Sequence, residues 1–202
     1  MSTLSQRLHR LGEPLLQQQL AHPTVVGIGR GDLDRDEFGR WLEQDYLYLL
    51  DYVRVFSRLA WQAPEEHLGE LVDLAHSTWH EELDLHRALA APFGAQLDTA
   101  TKSPQCAAYT GFLLSSAADY GTGLAALLPC MWGYSQLGQR LAQHPPADQQ
   151  YRQWVDTYAD PGFAELARRC GQMLDDADPD PVRAEAAFLQ AMRHELDFWD
   201  AR

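Results

Sequence analysis

Apolar residues recur along this chain at three-to-four-residue spacing, with few interruptions. Over residues 34–62, Phe38, Trp41, Leu42, Asp45, Leu49 and Tyr52 fall on one side of a helical projection, so one face turns inward. There is no sustained period-two alternation and no Asn-Gly hairpin turn, so strands are not expected. The pattern predicts helices near residues 3–20, 34–62, 64–91, 103–118, 120–142, 147–158, 161–176 and 181–200. Three helix starts carry a capping residue followed by proline: Ser103-Pro104, Asp160-Pro161 and Asp180-Pro181. Proline costs nothing at the first helical position, where its N–H would have no intrahelical partner. Connections are short, and no linker, repeat or low-complexity tract divides the chain. Residues 1–202 are therefore expected to form one all-α domain, a helical bundle.

One stretch offers a false lead. Gly27-Ile28-Gly29-Arg30-Gly31 has the look of a phosphate-binding loop, but no strand precedes it and its spacing fits neither glycine-rich fingerprint. A flexible turn between helices is expected there.

Charge narrows the partners. Against 29 acidic residues stand 16 Lys and Arg, a net charge of -13, which argues against nucleic acid or an anionic membrane. A small molecule is the expected partner. Met1 to Leu20 contains Arg7, Arg10 and Glu13 without a long apolar run, so it does not read as a signal peptide. No segment approaches the roughly 20 apolar residues that span a bilayer. The 3 cysteines, Cys106, Cys130 and Cys170, form no CxxC pair, so a disulfide framework or zinc site is not expected, and a reducing cytoplasm is.

Four groups of residues could carry chemistry. Cys130 follows Pro129 inside Leu127-Leu128-Pro129-Cys130-Met131-Trp132-Gly133-Tyr134. Proline inside a helix removes a hydrogen bond and commonly kinks it, so the thiol is expected to face an opened wall. An inert buried thiol is the competing reading. Tyr134 lies one turn on, on the same face. Asp45 and Tyr48 sit among aromatic and aliphatic residues. Asp45 is either satisfied by a neighbouring helix or binds a ligand's amino group and ring nitrogen; the pattern leaves both open. Glu195 shares a face with Phe198 and Trp199. Desolvation there would raise its pKa into the range useful for acid/base work, whereas spacing alone favours a solvated position. Finally, His76, His80, Glu81, Glu82 and His86 crowd one segment. A di-iron bundle needs Glu-x-x-His on two helices, and only Asp73-x-x-His76 comes near, so no metal is expected. That segment reads as polar surface with one or two buried histidines. Tyr109 and Tyr158 read as core or interface phenols.

The order of these segments resembles a known family. Ala21-His22-Pro23, the Gly27–Leu33 stretch and Gln44-Asp45-Tyr46-Leu47-Tyr48-Leu49 resemble the opening of the TenA proteins, thiaminase II. Glu82-Leu83-Asp84-Leu85-His86-Arg87, Ala108-Tyr109-Thr110-Gly111-Phe112-Leu113, the Ala126–Tyr134 segment, Trp154–Tyr158 and Glu195–Trp199 follow in the family's order. The resemblance implies a bundle of the haem oxygenase-like fold, a homotetramer, no metal or organic cofactor, and an aminopyrimidine or thiamin as substrate. It implies hydrolysis to hydroxymethylpyrimidine in thiamin salvage. It also assigns Cys130 as nucleophile, Glu195 as acid/base, Asp45 as the carboxylate holding the aminopyrimidine edge, and Tyr48, His86, Tyr109, Tyr134, Tyr158 and Phe198 as pocket residues. Met131 stands where the family commonly has an aromatic. A non-catalytic pyrimidine-binding protein on the same scaffold is the alternative expectation.

Overall fold

The computed structural model describes residues 2–202. Among them the chain forms ten α-helices and no strand, as the periodicity predicts. The first five are α1 (Leu4–Ala21), α2 (Pro23–Arg30), α3 (Arg35–Gln62), α4 (Glu65–Ser77) and α5 (Leu83–Ala90). The others are α6 (Pro104–Ser116), α7 (Tyr120–Leu141), α8 (Gln149–Ala159), α9 (Pro161–Ala177) and α10 (Pro181–Phe198). A π-helical turn, Thr78–Glu82, joins α4 to α5.

Side-chain caps start most of these helices. Thr3 and Gln6 form a capping box at α1, and Asp34, Ser103, Asp119, Asp148, Asp160 and Asp180 each accept backbone N–H groups at a helix start. The glycine-rich stretch is not a free turn. Pro23 opens a helix there, capped by His22, and Gly27 to Arg30 are its last residues. Gly31 ends it at φ 73, a left-handed conformation that glycine adopts without steric cost. The expected turn is thus confined to Gly31 and the residues just after it.

Helix α7 is the axis of the bundle, packed by α8, α9 and α10, with α3 and α6 also against it. Its residues Leu124 to Leu128 are buried together, an apolar run surrounded on all sides. Close approach of α8 is permitted by Gly138, where a Cβ would lie 2.3 Å from the carbonyl carbon of Tyr158. The end of α10 is fastened by buried hydrogen bonds. Trp41 donates to the Phe198 carbonyl at 3.2 Å, Thr24 to the Trp199 carbonyl at 3.1 Å, and Trp199 to Gln19 at 3.1 Å. Trp41 and Trp199 also stack, ring centroids 5.0 Å apart. Such aromatic pairs contribute about 0.5–1.5 kcal/mol beyond their buried area. These contacts fix the register of α10, which carries Glu195 and Phe198.

Candidate active site

Asp45, Tyr48 and Tyr52 recur at helical spacing on the inward face of α3, and all three are buried. They form one wall of an inner chamber. Cys130, Met131 and Tyr134 of α7 form the facing wall, and Thr78, Glu82, Tyr158 and Phe163 complete it. The helix α7 runs unbroken through Pro129, and Cys130 lines the chamber. Of the three cysteines, Cys106 and Cys170 are buried, while Cys130 keeps partial exposure on the chamber side.

The π turn accounts for two of the lining residues. Leu83 donates its N–H to the Thr78 carbonyl five residues back, which widens the helix by one residue. Thr78 and Glu82 both reach the cavity from that turn. The sequence carries no sign of the π turn, and Glu82 reads there as part of a polar surface. The i, i+4 relation between Glu82 and His86 on one face was the available signal. Phe163, Tyr52 and Phe56 were missed as well; in sequence they are ordinary core aromatics. Met131 occupies a lining position beside the thiol.

His86 does not line the chamber. It lies behind Asp45, with Nε2 2.6 Å from Asp45 Oδ2 and Nδ1 3.0 Å from the Glu82 carbonyl oxygen. Both ring nitrogens face acceptors, the arrangement that suits an imidazolium. Burial alone would lower the His86 pKa, but Asp45, helped by Glu82, outweighs it and raises the value to about 8. His76 and His80 are exposed, their rings 4.5 Å apart and away from the chamber. Among the described residues, no group of three or more His, Cys, Asp and Glu side chains is placed to hold a metal ion.

Glu195, Tyr109 and Phe198 form a layer behind Tyr48. The Tyr109 hydroxyl donates to Glu195 Oε1 at 2.6 Å, and Tyr48 packs on Tyr109 and Phe198 with centroids 5.1 and 5.5 Å away. Glu195 is only 2% exposed, so the solvated position that its spacing favoured is not the one it takes. Desolvation raises its pKa to about 8, against the Tyr109 hydrogen bond, with the Asp45 charge adding to the rise. Burial also pushes the Cys130 thiol well up, and Glu195 is the strongest charge acting on it; the Tyr48 hydroxyl works the other way. Burial raises Glu82 too. The buried Tyr48 hydroxyl lies beside the Cys130 thiol and the Tyr109 phenol. Tyr134 and Tyr158 meet at 4.9 Å on the opposite side.

The site therefore gathers Asp45, Glu82, the Cys130 thiol and phenols around an aromatic-walled chamber, with Glu195 in the layer behind. Such a constellation favours a flat, positively charged or amino-bearing ring.

A curated relative, the aminopyrimidine aminohydrolase of Halalkalibacterium halodurans, is 34% identical over 207 residues, covering 96% of this chain and 92% of its own. Among solved structures, a TenA homologue from P. horikoshii OT3 superposes with a TM-score of 0.93 at 24% identity, over 98% of this chain and 97% of that one. A domain with a haem oxygenase-like fold from Shewanella denitrificans gives 0.77 at 11% identity, over 96% and 89%, and so shares the fold alone. The family model that matches spans residues 9–202, and includes every residue of the chamber and the layer behind it: the chain belongs to the TENA/THI-4/PQQC family.

Proposed function

We propose that this protein is an aminopyrimidine aminohydrolase, a thiaminase II-type enzyme that converts 4-amino-5-aminomethyl-2-methylpyrimidine to hydroxymethylpyrimidine and ammonia in thiamin salvage. The observation that carries the reading is the convergence of Cys130, Asp45, Tyr48, Tyr134 and Tyr158 on one chamber, in a chain of this family.

In the proposed reaction, Asp45 accepts hydrogen bonds from the amino group and ring nitrogen, and the phenols hold the ring beside sulfur. The Cys130 sulfur bonds to the ring while the ring takes a proton. The thiol proton passes to the aminomethyl nitrogen, and electrons return to expel it as ammonia, the carbon–nitrogen pair staying with nitrogen. Water then adds its oxygen to the methylene, and sulfur leaves with the ring restored. Covalent catalysis of this kind replaces one hard step by two easier ones. Glu195, neutral below about pH 8, supplies and recovers the proton. Burial holds the thiol protonated. A cationic substrate bound beside it favours the thiolate.

The chamber measures about 20 Å³, room for about one water molecule. Ring entry thus requires it to widen. The test is direct: purified protein releases ammonia from the aminomethylpyrimidine without added metal. Binding of the pyrimidine, seen as a thermal shift, with no ammonia formed would instead favour a non-catalytic pyrimidine-binding protein.

A cytoplasmic homotetramer completes the proposal. Trp61, Leu68, Val72 and Trp79 are exposed apolar side chains that suit self-association. Light scattering at the tetramer mass is the expected result, and a monomer would contradict it.

A further inference from the structure

The proposed hydrolysis moves two protons, and Glu195 accounts for one of them. Glu195 stands in the layer behind Tyr48, held by the Tyr109 hydroxyl, and gives its proton to the ring. A second proton must reach the aminomethyl nitrogen, because an amide anion is far too basic to leave. Having served the ring, Glu195 is a carboxylate at that moment and has no proton to give.

Among the described residues that line the chamber, Asp45 and Glu82 are the only ones with carboxyl groups. One imidazole holds them in place. His86 meets Asp45 Oδ2 through Nε2 at 2.6 Å and the Glu82 carbonyl oxygen through Nδ1 at 3.0 Å. The π turn carries the Glu82 side chain to the cavity, where it keeps partial exposure. Both carboxyl groups lie near the Cys130 thiol. Burial raises the Glu82 pKa against the His86 charge and the Thr78 hydroxyl, with Asp45 adding to the rise. The carboxyl therefore keeps its proton to higher pH than a solvated glutamate does.

In the aminomethylpyrimidine, the ring amino group and the aminomethyl arm stand on adjacent ring carbons. A ring that offers its amino edge to Asp45 turns that arm toward a neighbour of Asp45 on the chamber wall. Glu82 is the neighbour with a proton to give.

We propose that Glu82 is a second catalytic acid, which delivers the proton to the departing nitrogen and takes its replacement from the Cys130 thiol. The inference rests on the hydrolytic reading above. One proton lies between Glu82 and the aminomethyl nitrogen, whether written as carboxyl and amine or as carboxylate and ammonium. It leaves with nitrogen, which also keeps the carbon–nitrogen electron pair. The thiol, on bonding to the ring, gives its proton to the Glu82 carboxylate. Water then puts its oxygen on the methylene and one proton on the departing sulfur, and the ring returns its proton to Glu195. Two carboxyl groups thus divide the acid work, Glu195 at the ring and Glu82 at the methylene.

Ammonia release from the aminomethylpyrimidine is compared in wild type, in Glu82→Gln and in Glu82→Ala with and without added formate, the fold of each checked by circular dichroism. Glutamine matches the shape of glutamate but carries no acidic proton, and both variants keep the backbone carbonyl that meets His86. Glu82→Gln is expected to lower kcat by a factor of about 10²–10⁴ with KM within about threefold of wild type. Formate, a carboxylic acid small enough for the space left in Glu82→Ala, is expected to restore kcat by at least about tenfold, and this arm stands if the glutamine variant does not fold. A folded Glu82→Gln with kcat within about twofold of wild type overturns the second acid and leaves the hydrolase standing. A rise in KM alone does the same, since it assigns Glu82 to binding. A fall in kcat that formate does not relieve in folded Glu82→Ala also overturns it. No ammonia from the wild type overturns the hydrolase, and the inference with it.

Discussion

The buried imidazole of His86 and the buried carboxylate of Asp45 meet at 2.6 Å, Nε2 to Oδ2, which leaves Oδ1 of Asp45 for a ligand. The second ring nitrogen is fixed by the Glu82 carbonyl at 3.0 Å. In the proposed reaction His86 is a positioning residue that aims the Asp45 carboxylate. Removing one partner of a buried pair leaves an uncompensated charge, at a cost of about 3–5 kcal/mol. His86→Ala should lose stability of that order by chemical denaturation and raise KM by about tenfold or more. His86→Gln keeps a donor toward Asp45 and should recover part of the KM. An unchanged KM in a folded His86→Ala would show that the histidine only fills space.

The Glu195 carboxyl, raised to about 8, implies a pH–rate profile that declines as pH passes through about 8, where the proton donor is lost. Glu195→Gln should lower kcat by a factor of about 10²–10⁴ and abolish that limb. A variant that keeps the wild-type profile would remove Glu195 from the proton transfer.

Stability should follow the same groups. His86 rises from 6.5 to about 8, and Glu195 from 4.5 to about 8. In each case the folded protein keeps a proton that the unfolded chain has released. The stabilisation is complete below the unfolded pKa and is lost as pH rises through the folded one. Between pH 6.5 and 8 both groups act in the same direction. Thermal unfolding should therefore occur at least about 2 °C lower at pH 8.5 than at pH 6.5, and Glu195→Gln should narrow the difference. A midpoint that rises across this range contradicts the assignment.

The helices were legible in sequence wherever a cap or proline met a periodic apolar face. The starts at Pro104, Pro161 and Pro181 lie where their dipeptides place them. Helix α2 was not, because its glycines read as a turn, although Pro23 marked its start. The chamber lining was partly legible. Asp45 and Tyr48 share a face by helical spacing, but only tertiary packing brings Cys130 opposite them. The burial of Glu195 was hidden because a neighbouring helix supplies its partner, Tyr109. Glu82 was hidden because a π turn, which leaves no periodic trace, carries it into the cavity.

The central claim is that the Cys130 sulfur performs the chemistry. The most direct measurement is ammonia release from 4-amino-5-aminomethyl-2-methylpyrimidine by wild type and by Cys130→Ala, with the fold of each checked by circular dichroism. The account predicts steady release by the wild type, and a fall in kcat of at least about 10³-fold in the folded variant, as expected when a covalent nucleophile is removed. Undiminished ammonia release by Cys130→Ala would contradict it.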